Sequence, residues 1–174
     1  YYAGDGRHGI YLAGGCTYNL ITGNTITGGE SQGIQLGQQS AYPAFPSNKH
    51  NTVSNNLLYG NAGISLFQNV TNNLVTGNAV LNSNAAGILV SSLGTVGLTC
   101  DDNVVSNNYI YKADTHGIWL NEGSRNTVSG NHIVECNQNA SPAYSGILLA
   151  RTGVGTLGAE DNRIVGNTIC GASG

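Results

Sequence analysis

The chain has 174 residues, of which 40% are hydrophobic and 9% are charged, and its formal net charge is −3. This composition supplies enough apolar residues for a core and excludes a disordered chain. Its 6 Lys and Arg residues are scattered and form no basic stripe for a phosphate backbone. The longest apolar run, residues 85–90, is too short to cross a bilayer. We therefore expect no nucleic acid partner and no membrane partner.

A repeat unit recurs six times along the chain. Each copy begins with Gly-Ile and continues, after a variable stretch, with two Asn residues that are five positions apart. The Gly-Ile pairs begin at Gly9, Gly33, Gly63, Gly87, Gly117 and Gly146, and the Asn pairs are Asn19 with Asn24, Asn51 with Asn56, Asn73 with Asn78, Asn103 with Asn108, Asn126 with Asn131, and Asn162 with Asn167. Three short segments in each copy alternate apolar and polar residues, which predicts three β-strands per unit.

Three strands in a unit of 24 to 30 residues correspond to one coil of a parallel β-solenoid. In such a fold each strand pairs with the equivalent strand of the next coil, about 4.8 Å away. The Gly or Asn before the second Asn tolerates the left-handed backbone of a sharp corner. Ile10, Leu12, Ile21 and Ile26 are the predicted core positions of the first coil. We predict an Asn ladder of side-chain hydrogen bonds along the axis, formed by Asn24, Asn56, Asn78, Asn108, Asn131 and Asn167.

With three strands per coil and an Asn ladder at the second turn, the chain resembles the right-handed parallel β-helix, or pectin-lyase-like, superfamily. The resemblance covers essentially all of the chain and implies an all-β fold, a single-stranded right-handed parallel β-helix (solenoid) of about six coils. We predict one domain over residues 1–174, which is part of a longer solenoid or a unit that stacks end to end. The superfamily includes pectate lyases, polygalacturonases, alginate epimerases and phage tailspikes, so the resemblance selects no activity.

The catalytic motifs of these enzymes are present only as fragments. Pectate lyases carry acidic calcium ligands on the outward positions of the first strand, where this chain has no acid. Those outward positions are Tyr11, Gln35, Ser65, Leu89, Trp119 and Leu148. The polygalacturonase motifs are matched only in part, by Asp101-Asp102 and residues 115–117 and 162–165, and the Asp-Pro-His-Glu segment of alginate epimerases is absent. No catalytic set can be transferred, and no motif predicts a metal or a cofactor.

The connection from Gly-Ile to the first Asn of each pair alternates between short and long copies. The long copies are residues 37–50, 91–102 and 150–161. Because the long loops belong to alternate coils, we expect them to stack about 9.6 Å apart and to form one wall of the first-strand face. The insertion at residues 135–145 would add to the opposite wall.

Coils four to six hold the best candidates for catalysis beside this face. A lyase or epimerase acting on uronic acids needs a cation for the carboxylate, a base and an acid. The candidates for these roles are Arg125 or Arg151, His116 and Tyr144. A hydrolase instead needs two carboxylates. The candidates for that pair are Asp101, Asp102, Asp114 and Glu122. Such a set of charges on the rim of a solenoid also arises by chance, so a chain without catalysis stays open.

The first-strand face is also the predicted site for a polysaccharide. Trp119 is the only Trp of the chain, and it occupies an outward position on a flat strand. Sugar rings stack on exposed aromatic side chains and form hydrogen bonds with amides. The predicted contacts are Trp119, Tyr11, Phe67, Gln35 and Asn121.

The outward positions of the third strand favour a different class of function. They include Leu57, Tyr59, Tyr109 and Tyr111, and such an apolar strip suits a partner surface. Phage tailspikes, which the chain resembles, pack three β-helices side by side. We therefore weigh a polysaccharide-binding or polysaccharide-processing β-helix against a non-catalytic structural protein or adhesin, such as a tailspike-like oligomer or a filament subunit. The expected homo-oligomer is a side-by-side trimer or an end-to-end stack.

The low charge and the cysteine pattern indicate the compartment. The chain has four Cys and no Cys-x-x-Cys pair, which favours an extracellular or virion-associated location over zinc or redox chemistry. Cys136 and Cys170 lie in adjacent coils and are the one pair that the spacing allows to bridge. Cys16 and Cys100 are three coils apart, too far for a disulfide.

Overall fold

The computed structural model describes residues 8–28, 31–37, 46–60, 63–92, 98–139, 144–150 and 158–171. This part of the chain is built from short β-strands, and it contains no helix long and apolar enough to span a membrane. In chain order the strands are β1 (Ile10–Leu12), β2 (Leu20–Thr22), β3 (Thr25–Thr27), β4 (Ile34–Gly37), β5 (Asn48–Lys49), β6 (Thr52–Ser54), β7 (Leu57–Tyr59), β8 (Ile64–Phe67), β9 (Val70–Thr71), β10 (Leu74–Thr76), β11 (Ala79–Leu81), β12 (Ile88–Ser91), β13 (Val104–Ser106), β14 (Tyr109–Tyr111), β15 (Ile118–Asn121), β16 (Thr127–Ser129), β17 (His132–Val134), β18 (Ile147–Ala150), β19 (Arg163–Val165) and β20 (Thr168–Cys170).

Three parallel sheets of six strands each run along the molecule. Sheet 1 has the order β1-β4-β8-β12-β15-β18, sheet 2 the order β2-β6-β10-β13-β16-β19, and sheet 3 the order β3-β7-β11-β14-β17-β20. Each coil therefore contributes one strand to each sheet, and β5 pairs with β9 in a small separate sheet. The predicted parallel β-helix of six coils with three strands per coil is confirmed.

Equivalent aliphatic residues of successive coils stack in register and fill the core. Ile34 pairs with Ile64 in sheet 1, for example, and Leu58 pairs with Val80 in sheet 3. All four of these side chains are buried. In the first coil Ile21 is buried, while Ile10, Leu12 and Ile26 are partly buried and pack against the core cluster. The predicted inward positions are confirmed.

Three rows of residues with positive φ turn the backbone at the corners of every coil. The row between the two Asn positions, predicted from the sequence, has φ between 54° and 68° and consists of Gly23, Asn55, Gly77, Asn107, Gly130 and Gly166. A second row, which the sequence analysis missed, directly precedes the first Asn and consists of Tyr18, His50, Asn72, Asp102, Arg125 and Asp161. The third row follows sheet 3 and consists of Gly28, Gly60, Asn82, Lys112, Glu135 and Gly171. Non-glycine residues rarely adopt this conformation, and here it recurs because each corner must turn sharply.

The Asn pairs form two ladders, although the sequence analysis predicted one. Asn78 shows the pattern in the predicted ladder. Its backbone N–H and its Nδ2 both donate to Oδ1 of Asn108, at 3.0 and 2.9 Å, and its Nδ2 also donates to the carbonyl of Val53. The same contacts join Asn73 to Asn103 in the second ladder. Along both ladders, side-chain oxygens accept from the Asn of the preceding coil, and side-chain nitrogens donate to the Asn of the next coil or to backbone carbonyls. The buried amide groups therefore have hydrogen-bond partners.

Cys136 and Cys170, the pair that the spacing allowed to bridge, form no disulfide, and all four cysteines are free. Cys136 belongs to the buried core cluster, whereas Cys170 is exposed at an outward position of β20. The two thiols thus lie on opposite sides of sheet 3. Burial raises the pKa of the Cys100 thiol to about 12 and also raises the pKa of Cys136.

Candidate functional site

The outward side chains of sheet 1 form one row, as the strand alternation predicts. In register, the row consists of Tyr11, Gln35, Ser65, Leu89, Trp119 and Leu148. Tyr11 is 41% exposed, whereas Gln35 and Ser65 are 2% and 1% exposed. The middle of the face is therefore covered, and the accessible aromatic side chains lie towards its two ends. Most of the predicted loop walls, at residues 38–45, 93–97, 140–143 and 151–157, lies outside the described residues.

An aromatic cluster, defined as His116, Trp119 and Tyr144, lies at the start of β15. The His116 ring centroid is 5.1 Å from that of Trp119 and 5.1 Å from that of Tyr144, which meets it edge-on. Trp119 is half-buried, and His116 is 3% exposed. The first coil repeats part of the arrangement, because the rings of His8 and Tyr11 lie 4.9 Å apart. The structure thus brings together three residues that the sequence analysis named for different roles.

The surroundings of His116 favour the neutral imidazole and one of its two tautomers. The backbone N–H of Ser145 donates to Nδ1 at 3.0 Å, so this nitrogen is an acceptor and the proton of the neutral ring resides on Nε2. Burial lowers the pKa of His116. A neutral imidazole with a lowered pKa satisfies one requirement of a general base, and it equally satisfies a purely structural role.

We expect acidification to destabilise the protein through His116. Burial keeps the folded pKa of this ring below its unfolded value of about 6.5, so the unfolded chain binds the proton first as the pH falls. Stability from this group is complete above pH ~6.5 and decreases below it, by up to about 1.4 kcal/mol per pH unit, until the folded pKa is reached.

Urea unfolding at pH 7.5 and 5.5 checks this expectation. The wild type should lose more stability between the two pH values than His116→Gln, while His132→Gln, which alters an exposed histidine on sheet 3, should behave as the wild type. An equal loss in all three proteins would contradict the expectation. Trp119 fluorescence provides a second readout, because the indole lies beside the titrating ring.

A cleft of about 160 Å³ opens beside the aromatic cluster. It is lined by Gln32, Ala85, Ala86, Leu89, Thr115 and Trp119. The indole Nε1 of Trp119 and the side-chain Oε1 of Gln32 are buried, and neither has a hydrogen-bond partner in the described part of the chain. Buried polar atoms without partners are uncommon in folded proteins, so the two in this cleft require an explanation.

Arg125 lies at the other end of β15 and is paired with two acids. Its Nε and Nη2 donate to Asp102 at 2.9 Å each, and Nη2 also donates to Asp101 at 3.1 Å. The side chains of Asp102 and Asp101 raise the pKa of Arg125. Asp101 also accepts a hydrogen bond from the backbone N–H of Ser124. The three candidate catalytic groups thus bind one another across the corner between sheets 1 and 2.

The described residues therefore separate the candidate catalytic side chains into two groups. His116, Tyr144 and Asp114 lie before or beside the start of β15, whereas Arg125 with its two acids follows its end. A strand of four residues spans about 13 Å, so Arg125 and His116 lie towards opposite ends of β15. Arg151 lies outside the described residues.

The remaining predicted sugar contacts differ in accessibility. Asn121 is buried, and its Nδ2 donates to Oγ of Ser91 at 3.2 Å. Phe67 is half-buried and occupies the outward position equivalent to Asn121 in β8. Glu122, a candidate hydrolase acid, is buried and accepts a long hydrogen bond of 3.4 Å from Oγ of Ser92. Tyr11, Trp119 and Phe67 are thus more accessible than Gln35 and Asn121.

The six-coil architecture and the Asn ladders are accompanied by a match to a known family. A family model described as "Periplasmic copper-binding protein (NosD)" matches residues 44–173, about three quarters of the chain. The chain belongs to the NosD family. The match confirms the pectin-lyase-like superfamily and supports an exported, non-cytoplasmic β-helix, and it gives no support to a tailspike or to association with a virion. Comparison with curated proteins and with solved structures finds no match.

In this NosD-family chain, the cleft is the feature that sequence reasoning missed. Trp119 was recognised as unusual, but Gln32, Ala85, Ala86 and Thr115 carry no motif. They precede the first strands of coils two, four and five, so the stacking of coils brings them to one corner. An alignment of the six repeats would have shown that these four residues occupy similar positions before their Gly-Ile pairs. It would not have shown that a cleft lies between them.

Proposed function

We propose that this NosD-family chain is an exported, non-catalytic β-helix that binds a saccharide at the aromatic cluster and the cleft beside it. The observation that carries the proposal is the position of Trp119, which faces outward on a flat sheet and forms one wall of the cleft. An aromatic face next to a small number of polar groups is a typical arrangement for sugar binding. The exported location follows the family description, and within it we propose the periplasm.

The separation of the catalytic candidates favours binding over turnover. General acid–base catalysis requires its groups to lie within hydrogen-bond reach of one substrate. In the described part of the chain, Arg125 and its two acids satisfy one another at a corner, away from His116. A lyase, epimerase or hydrolase therefore has less support than a binding protein.

The family description names copper, and the residues that the structure describes do not fit a copper site. Copper prefers imidazole nitrogen and the sulfur of Cys or Met. The chain has no Met, and among the described residues no three His, Cys, Asp or Glu side chains form a group that could hold a metal ion. Cys100 and Cys136 are buried with raised pKa values, which favours the thiol over the metal-binding thiolate. We assign no copper chemistry to these residues.

The outward face of sheet 3 favours a second, structural role, in which this face contacts another copy of the chain. Leu57, Tyr59 and Tyr109 are exposed on this face, and the rings of Tyr109 and His132 lie 5.5 Å apart. A homo-oligomer, side by side or end to end, stays a prediction.

Substitution of Trp119 tests the proposed function. We expect Trp119→Ala to weaken saccharide binding at least tenfold, because it removes the aromatic wall of the cleft. Tyr59→Ala, which removes an exposed aromatic ring from sheet 3, is the matched control and should bind as the wild type does. Binding is measured by isothermal titration calorimetry against malto-, cello- and chito-hexaose.

Two outcomes would refute the proposal. One is the absence of binding to every sugar of this panel. The other is equal affinity of the wild type and of Trp119→Ala for the sugar that binds. Thermal unfolding of both variants, followed by circular dichroism, shows whether each keeps its fold.

A further inference from the structure

The cleft beside Trp119 has an apolar floor, and two of its lining residues each carry a buried polar atom without a hydrogen-bond partner among the described residues. Ala85, Ala86 and Leu89 supply the apolar floor. The indole N–H of Trp119 is the donor without an acceptor, and Oε1 of Gln32 is the acceptor without a donor. The six lining residues include no charged side chain. A complementary group is therefore neutral and carries a small apolar part, a hydrogen-bond acceptor and a hydrogen-bond donor.

We propose that this cleft binds the acetamido group of an N-acetylated amino sugar. The inference rests on the proposed saccharide binding and names the class of sugar. The acetamido methyl packs on the alanine and leucine side chains, its carbonyl oxygen accepts from Nε1 of Trp119, and its N–H donates to Oε1 of Gln32. One group thus satisfies both unpaired atoms and fills the apolar space.

The size of the cleft agrees with this occupant. A protein cavity of about 150 Å³ holds benzene, which has six heavy atoms. The cleft measures about 160 Å³, and an acetamido group has four heavy atoms, which leaves room for the sugar ring to lean on the indole face. Both unpaired atoms are buried, whereas Gln32 and Trp119 are half-buried as whole residues, so binding requires these two side chains to rotate until Oε1 and Nε1 face the cleft.

Other sugar substituents fit the cleft less well. A hydroxyl group leaves the apolar floor unfilled. The amino group of an amino sugar is partly protonated near neutral pH, and a uronic acid carboxylate is charged, so each loses hydration among lining residues that supply no counter-charge. The acetamido group is neutral and keeps both hydrogen bonds. We therefore expect N-acetylated chains to bind more tightly than their hydroxyl or amino counterparts.

Chitohexaose and cellohexaose provide a matched pair of probes. Both are β-1,4-linked chains of glucose units, and they differ in having an acetamido or a hydroxyl group at C2. We expect the wild type to bind chitohexaose at least tenfold more tightly than cellohexaose in calorimetric titrations. Fully deacetylated chitohexaose should bind no more tightly than cellohexaose.

Two variants locate this preference in the cleft. Trp119→Phe keeps an aromatic face and removes the indole N–H, so the preference for chitohexaose should fall to threefold or less while cellohexaose binding is kept. Ala85→Leu places a larger side chain in the space proposed for the acetamido methyl, so it should also reduce the preference for chitohexaose over cellohexaose. Thermal unfolding shows that each variant is folded, and the second variant keeps the test valid if the first is unstable.

The possible results separate this inference from the proposed function. Equal affinity of the wild type for both hexaoses overturns the acetamido assignment and leaves saccharide binding intact. A preference that survives in both Trp119→Phe and Ala85→Leu also overturns it, because the acetamido group would then be bound elsewhere. Binding to no sugar of the panel overturns the proposed function together with the inference.

Discussion

Asn108→Ala is expected to lower the free energy of unfolding by about 3 to 5 kcal/mol, because the side chain connects three coils in the buried ladder. Its Oδ1 accepts from the backbone N–H and the Nδ2 of Asn78, and its Nδ2 donates to Oδ1 of Asn131 and to the carbonyl of Val75. Alanine removes the acceptor of the Asn78 backbone N–H and one of the acceptors of its Nδ2, which keeps its bond to the carbonyl of Val53. Urea denaturation followed by circular dichroism measures the loss.

The neighbouring residue provides the matched control for this ladder substitution. Asn107 is exposed, has a φ of 54°, and occupies the corner row in which Gly77 and Gly130 are its equivalents. Because glycine adopts this conformation without strain, Asn107→Gly should change stability by less than about 1 kcal/mol. If the two substitutions proved equally destabilising, the ladder would not be the source of the effect.

Gly87→Ala is expected to be nearly as harmful, at about 3 kcal/mol, because no space exists for a side chain at this position. A Cβ at Gly87 would lie 2.5 Å from Cγ2 of Ile110 and 2.8 Å from the carbonyl oxygen of Gly117. The Gly of the Gly-Ile pair thus allows the third strand and the next coil to pack against the chain. A backbone atom cannot rotate away, so the coils must separate.

A second glycine distinguishes this steric effect from a general sensitivity to substitution. Gly23 lies at an open corner where a Cβ would meet nothing within 4 Å, and its φ of 68° is a value that Asn tolerates. Asn occupies the equivalent position at Asn55 and Asn107. Gly23→Asn should therefore unfold within about 1 kcal/mol of the wild type in the same urea titration, and a larger loss would refute the steric account.

The β-helix, its core and one Asn ladder were predictable because each is a local pattern repeated in six copies. A single copy of Asn-x-x-x-x-Asn would indicate little, but constant spacing in every coil requires equivalent residues to stack. The second ladder carries the same periodic signal, at Asn73 and Asn103 for example, and it was missed because only the corner position was interpreted. Repetition converts sequence position into position in space.

The pairing of charges depended on the tertiary structure. Asp102 and Arg125 lie 23 residues apart, yet both precede the first Asn of their coils, so the parallel register places them side by side. From the sequence both residues were candidates for catalysis, because composition does not show which charges neutralise each other. The absent disulfide has a related cause, since spacing places Cys136 and Cys170 in adjacent coils but not on the same side of the sheet.

The sequence by itself therefore determined the solenoid, the inward positions and the outward place of Trp119, because alternation and repetition depend on backbone geometry. Tertiary structure decided which outward residues remain accessible, such as Tyr11, and which are covered, such as Gln35. It also decided that Gln32 and Trp119 line one cleft with unpaired polar atoms. The physical reason is that burial and hydrogen bonding depend on neighbours from several coils at once. The repeat pattern shows which residues are equivalent in successive coils, but not which different positions contact one another.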